Sequence, residues 1–259
     1  MIANARANIL DCRFDRITLA QTVEHCMEFC RQPRSSHTIV TINSAGLVMM
    51  RDDETFRRAC MSGDLVVADG VPVLWAGRLL GEPLPGRVAG VDLMAALLSA
   101  AARQGLRVYF LGAKPEIIDA LVVRCREQYP GLVVAGARDG YFDRAESDAV
   151  VAHIRDAQAD ILFIGMPSPF KEVWAQAYKR ALETPVIIGV GGSFDVLTGH
   201  VKRAPPWMQK SGLEWSWRLL MEPRKMWRRY LVGNSRFIFM LLRALLQRRF
   251  RAGARYSAP

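Results

Sequence analysis

Short apolar runs separated by longer amphipathic stretches set the rhythm of this chain. Ile39-Val40-Thr41-Ile42, Leu65-Val66-Val67-Ala68, Val108-Tyr109-Phe110-Leu111, Leu132-Val133-Val134, Ile161-Leu162-Phe163-Ile164 and Val186-Ile187-Ile188 have little polar content, as strands buried on both faces do. Amphipathic helical segments lie between them. The alternation predicts an α/β fold with a Rossmann-like, mostly parallel sheet and flanking helices. Each run is followed at once by polar or glycine residues: Asn43-Ser44, Asp69-Gly70, Gly112-Ala113, Gly136, Gly165-Met166-Pro167 and Gly189-Val190-Gly191-Gly192. Open parallel sheets bind ligands beyond the carboxyl ends of their strands, so a site is expected among these positions.

After Gly199 the rhythm changes. Helical segments rich in tryptophan and arginine are predicted over 207–220, 223–232 and 235–251, and no strand follows. Residues 1–199 carry 21 basic and 23 acidic side chains, whereas 200–259 carry 14 basic ones against only Glu214 and Glu222, so the net charge of +10 arises entirely in the last stretch. The pattern divides the chain into an α/β domain over 1–199 and a basic helical appendage over 200–259. Within the appendage, Arg236, Arg243, Arg248, Arg249 and Arg251 flank or interrupt Phe237, Ile238, Phe239, Met240, Leu241, Leu242, Leu245 and Leu246. That arrangement suits a helix lying in a membrane interface, with packing on a partner subunit as the alternative use of such a stripe. The run is too short and too charged to span a bilayer.

The remaining composition narrows the classes. With 259 residues, 51% of them hydrophobic, the chain can bury one substantial core and an appendage. Five cysteines, odd in number and never spaced C-x-x-C, argue against a disulfide framework or a zinc site and suit a reducing cytoplasm. The opening residues lack the apolar run of a secretory signal. A pI of about 9.8 and the interleaving of Trp207, Trp215, Trp217 and Trp227 with arginine raise nucleic-acid binding as a rival. The apolar run over 237–242 counts against it, since lipid requires such a run and nucleic acid does not.

Several residues could carry chemistry. Asp69, on a tight turn at a helix start, can act as a proton acceptor or as an N-cap, and physics alone favours the cap. Asn43, with Thr41 before it, occupies the equivalent strand end one unit earlier and could hydrogen-bond a sugar hydroxyl or orient Asp69, or equally be a cap. Arg87 lies in a glycine-flanked loop where its guanidinium could grip a diphosphate bidentately, or be a plain exposed arginine. The segment Gly189-Val190-Gly191-Gly192-Ser193-Phe194-Asp195 joins a strand to a helix and could present backbone N–H groups to phosphate. It fails the dinucleotide G-x-G-x-x-G pattern, and no P-loop is present. With no D-x-D pair and four isolated histidines, no metal or other cofactor is expected.

Taken in order, Thr41-x-Asn43, Ala68-Asp69-Gly70-x-Pro72, Arg87-x-x-Gly90-x-Asp92-Leu93, Gly112-Ala113, Gly189-Val190-Gly191-Gly192-x-Phe194-Asp195, Arg203-Ala204-Pro205 and Gly212-Leu213-Glu214-Trp215-x-x-Arg218-Leu219 form a set. In these motifs the chain resembles the WecG/TagA/CpsF family of bacterial glycosyltransferases from about residue 10 to about 232. The resemblance implies an inverting, metal-independent enzyme with a Rossmann-like core and a mobile basic appendage. It would work at the cytoplasmic face of the membrane on UDP-sugars and polyprenyl-diphosphate-linked saccharides, in the synthesis of surface or exported polysaccharide. The donated sugar would be a hexose or an N-acetylhexosamine such as ManNAc, GlcNAc or glucose. It also implies roles: Asp69 as general base, with Thr41, Asn43 and Arg87 in the same pocket. Gly112, Lys171, Glu172, Gly191, Gly192 and Asp195 would face the uridine diphosphate, and Arg218, Lys225 and Arg228 the acceptor diphosphate. Two positions depart from the family pattern. Many members have glutamine where this chain has Lys171, and an appendage arginine is replaced by Lys225. A homo-oligomer is compatible with this reading. The alternative is a non-enzymatic membrane adaptor of a polysaccharide-synthesis complex.

Overall fold

The computed structural model describes residues 5–221, 223–227 and 231–256, with the backbone alone described for Lys210, Arg218, Lys225, Met226 and 249–256. Among these residues, six parallel strands form the central sheet: β3 (His37–Ile42), β4 (Leu65–Ala68), β5 (Arg107–Gly112), β6 (Val133–Arg138), β7 (Ile161–Gly165) and β8 (Val186–Gly189), ahead of which come β1 (Arg6–Ile9) and β2 (Cys12–Asp15). The sheet order is β4-β3-β8-β7-β5-β6. Every pairing in it is parallel. The α/β expectation therefore holds.

Both faces of the sheet are covered, which is why its strands read as continuous apolar runs. Ile39, Leu65, Val67, Val108, Phe110, Ile161, Phe163, Val186 and Ile188 point to one face. There they meet α1 (Leu19–Arg31), α5 (Gly90–Gln104), α6 (Pro115–Gln128) and α9 (Ser193–Leu197). The alternate residues point the other way. Val40, Ile42, Val66 and Ala68 pack beneath α2 (Ser44–Asp52), α3 (Glu54–Met61) and α4 (Val71–Leu79). Tyr109, Leu111, Leu162, Ile164 and Ile187 pack beneath α7 (Ser147–Asp156) and α8 (Phe170–Leu182).

The strands β1 and β2 form an antiparallel hairpin that the apolar-run pattern does not announce. Leu10 and Asp11 turn it with φ of 52° and 63°, the twist that two-residue hairpins favour. Ala7, Ile9, Cys12 and Phe14 point inward and are fully buried. Asp15 then ties the hairpin to the sheet, accepting a 2.8 Å hydrogen bond from the Val66 amide and pairing with Arg6 at 2.9 Å.

Beyond residue 200 come α10 (Pro206–Lys210), α11 (Glu214–Met221), α12 (Pro223–Trp227) and α13 (Gly233–Tyr256). The last of these packs on α2. Phe237 and Met240 are buried in the cluster that also holds the hairpin and α2 to α4, with Leu241, Ala244 and Leu245 packed against it. On its other side Ile238, Phe239, Leu242 and Leu246 are 55–67% exposed. Arg236 forks onto Asp52 at 2.6 and 2.7 Å across the same contact. No described helix is long and apolar enough to cross a membrane. All five cysteines are unpaired, and burial holds each thiol above its ordinary pKa, which leaves them poor nucleophiles.

Candidate active site

The register of β3 on β4 sets the centre of the site. Ile42 pairs with Ala68, so Asn43 and Asp69 are the next residues of two adjacent parallel strands and emerge side by side at the carboxyl edge. The Asp69 amide donates to the Ile42 carbonyl at 2.9 Å, which holds the two strand ends together. Asn43 does cap its helix, its side-chain oxygen accepting from the Gly46 amide at 3.0 Å. Asp69 is placed differently. The N-cap of α4 is Gly70, at a φ of 114° and without a side-chain cap bond. The capping position anticipated for Asp69 thus falls on the next residue, and the Asp69 carboxylate stands half-buried at the edge. A Cβ on Gly70 would lie only 4.0 Å from the Asn43 Cβ, which shows how closely the two turns approach.

Two loops complete this corner. The Val88 amide donates to the Ala68 carbonyl at 2.8 Å, bringing the glycine-flanked loop and Arg87 beside the end of β4. Gly90, at the start of α5, fits where a Cβ would stand 3.8 Å from both Thr41 Oγ1 and Ser193 Oγ and 3.9 Å from Val190 Cα. That contact joins the ends of β3 and β8. Thr41, Asn43, Asp69 and Arg87 therefore share one edge with the turn that carries Gly191 and Gly192 and with Asp195 in the first turn of α9.

Arg87 is held by two carboxylates, Nη1 donating to Glu214 at 2.9 Å and Nη2 to Asp92 at 3.2 Å. Arg203 grips Asp92 with both terminal nitrogens, at 2.6 and 2.8 Å. Two arginines and two acids from four segments close into one network, none of them more than about a third exposed. Burial works against the charge of Arg203, and the hydrogen bond to Asp92 with the charges of Asp92, Glu214 and Asp69 outweighs it, so its pKa is raised. Asp69 is thereby within electrostatic reach of the network. An open recess of about 380 Å³ beside it is lined by Val71, Arg87, Pro206 and Gln209. Arg203, Asp92 and Glu214 were not singled out as site residues from sequence, although all three stand in the motifs that carry the family resemblance.

Of the other expected residues, Lys171 and Glu172 line a small cavity with Thr41 and Gly189 beneath β3 and β8, whereas Gly112 lies further along the sheet. Lys171 and Glu172 start α8 and are 7% exposed each, beneath the sheet edge. Lys171 donates to Ser168 Oγ at 2.6 Å and pairs closely with Glu172, which accepts from Ser168 at 2.8 Å. A Cβ on Gly189 would stand 3.0 Å from the Lys171 stem, so glycine at the end of β8 makes room for it. Gly112 ends β5 at a φ of 124°, where a Cβ would strike the Gly165 backbone at 2.6 Å. It admits the close approach of β5 and β7, and β8 and β7 lie between β5 and β3. Arg228 lies outside the described residues, as do the side chains of Arg218 and Lys225. Among the described residues no group of three or more His, Cys, Asp or Glu side chains is arranged to hold a metal ion.

A parallel sheet whose carboxyl edge gathers a carboxylate, an amide and paired arginines fits an α/β group-transfer enzyme, and comparison with known proteins gives the class. The profile of the glycosyl transferase WecG/TagA/CpsF family matches residues 7–251, and the chain belongs to that family. It is similar to an N-acetylglucosaminyldiphosphoundecaprenol N-acetyl-beta-D-mannosaminyltransferase of Bacillus spizizenii, 36% identical over 196 residues, and to the Bacillus subtilis enzyme of the same name, 34% identical over 193. In each case the match covers 74% of both chains.

Proposed function

We propose that the protein transfers a hexose or N-acetylhexosamine from a UDP-sugar to a polyprenyl-diphosphate-linked saccharide at the inner face of the cell membrane, with inversion and without a metal. Asp69 takes the proton from an acceptor hydroxyl as that oxygen bonds to the anomeric carbon, and the bond from that carbon to the β-phosphate oxygen breaks. Uridine diphosphate leaves from the opposite face with the electron pair. The observation that carries this reading is the emergence of Asp69 beside Asn43 at the edge where Arg87 also lies. In this reading the arginines at this edge meet the charge that develops on the leaving diphosphate. The relatives' name supports a lipid-diphosphate acceptor.

Membrane docking fits the outer surface of the molecule. Trp207, Trp227 and the free stripe of α13 are exposed apolar side chains on a segment of strongly basic composition, and Trp75 and Leu79 of α4 are exposed as well. A bilayer rich in anionic lipid is the surface this chemistry suits.

Replacing Asp69 by asparagine tests the mechanism. Turnover should fall by at least ~10²-fold while UDP affinity stays within a few-fold of the parent, because the amide keeps the shape of the base without its proton affinity. Steady-state rates with a calorimetric UDP titration read both. Retained turnover would remove Asp69 from the chemistry.

A further inference from the structure

The two counter-ions of the Arg87–Arg203 network are not held equally. Asp92 receives both terminal nitrogens of Arg203 and one of Arg87, at 2.6 to 3.2 Å. Among the described residues, Glu214 receives one hydrogen bond, from Arg87 at 2.9 Å, and approaches Arg203 Nε at 3.9 Å. That Nε is buried and has no hydrogen-bond partner. A buried donor left unpaired is costly, and a guanidinium prefers to present two parallel N–H groups to one anion. Glu214 takes only one N–H of Arg87 and, at 3.9 Å, stands too far from Arg203 Nε to accept its hydrogen bond.

We infer that Arg87 and Arg203 together form a diphosphate-binding site, and that Glu214 occupies it until the ligand displaces it. This rests on the reading that the edge handles a sugar diphosphate. A diphosphate carries more acceptor oxygens than a carboxylate, spread over a longer span. It can take the Arg87 Nη1 bond that Glu214 now holds and also satisfy Arg203 Nε. The recess lined by Arg87, Val71, Pro206 and Gln209 gives it about 380 Å³ to enter. Asp92 stays, holding the arginines side by side. The network has no net charge while Glu214 is in place and becomes cationic when it leaves, although Asp69 nearby tempers that field. Because Glu214 lies in the first turn of α11, ligand entry also removes one tether between that helix start and the Arg87 loop. Arg203 thus acts as an anion-binding residue and Glu214 as its displaceable occupant.

Two sources could supply the diphosphate: the nucleotide or the lipid-linked acceptor. Calorimetric titration of the full chain with UDP and, separately, with farnesyl diphosphate distinguishes them. Glu214→Gln should tighten one of the two by ~5-fold or more, since it removes the competing charge and leaves the side-chain shape. Arg203→Ala should weaken the same probe and abolish the gain when combined with Glu214→Gln. Tightening of UDP alone assigns the nucleotide, and of farnesyl diphosphate alone the lipid. An increase in affinity is not what loss of a structural strut produces. If the parent binds but Glu214→Gln leaves both affinities unchanged or weakens them, the displaceable occupant is refuted while the proposed function stands. If the parent binds neither probe, both readings fall. Glu214→Ala repeats the measurement should the glutamine variant melt early.

Discussion

The strands of the sheet and the last helix use apolar residues in opposite ways. Along β3 to β8 successive apolar side chains go to alternate faces, and both faces are roofed, so Tyr109, Phe110, Phe163 and Ile188 are all fully buried. In α13 the apolar set divides between a docked side, with Phe237 at 5% and Met240 at 7% exposure, and a free side, with Phe239 at 67% and Leu242 at 55%. A central strand has no choice of environment. A peripheral helix has a full circumference, and which part of it is covered depends on the partner surface offered by α2. Residue 200 marks a change of composition, while α13 shares a hydrophobic cluster with the hairpin and α2 to α4. The ion pairs repeat the contrast: Lys171–Glu172 is sealed inside the α/β part, whereas Arg236–Asp52 ties the appendage to it with both side chains half exposed.

Four sets of substitutions sharpen that comparison. Phe237→Ala should lower stability by about 3 kcal/mol or more, while Phe239→Ala two residues away stays within about 0.5 kcal/mol. Urea denaturation midpoints decide it, and equal losses would mean that the docked face is wrong. Lys171→Met should cost about 3 kcal/mol because it leaves the Glu172 carboxylate buried without its counter-ion, and a second change, Glu172→Leu, should recover much of the loss. If the double variant is no better than the single, the pair is not the source of the penalty. Glutamates at Phe239 and Leu242 together should cut sedimentation with anionic vesicles by ~10-fold while leaving the melting curve in place, since only the free stripe is altered. Unchanged sedimentation would move the membrane face elsewhere. The smallest effect is expected for Arg236→Ala, whose ion pair is open to water and screened by salt. A melting shift outside replicate scatter would give that pair more weight than its exposure allows.

The sheet was legible because its strands, the edge strand β6 apart, are buried on both faces and so carry an apolar signal strong enough to survive in runs of three or four residues. The hairpin was not, since Ala7, Ile9, Cys12 and Phe14 alternate with polar neighbours for only two inward positions per strand. At β6 the expected Leu132-Val133-Val134 became Val133–Arg138, an edge strand whose last residues are polar or small. Asp69 and Asn43 could be placed because strand ends are visible in sequence, and register then sets them side by side. The arginine network could not be derived from local pattern. Its members come together across 111 and 127 residues of chain, and only the family motifs hinted that they belong together. The family resemblance sets Lys171 and Glu172 toward the uridine diphosphate, and nothing local reveals that both are buried.

The central claim is that this edge transfers a sugar by Asp69-assisted displacement. The most direct measurement mixes the protein with a panel of UDP-sugars and a short-chain lipid-diphosphate saccharide, with and without EDTA, and identifies the product by mass spectrometry and the new linkage by NMR. The account predicts one added sugar on the lipid-linked acceptor, an anomeric configuration opposite to that of the donor, and a yield that EDTA leaves largely unchanged. Retained configuration, or loss of product that magnesium or manganese restores, would contradict it.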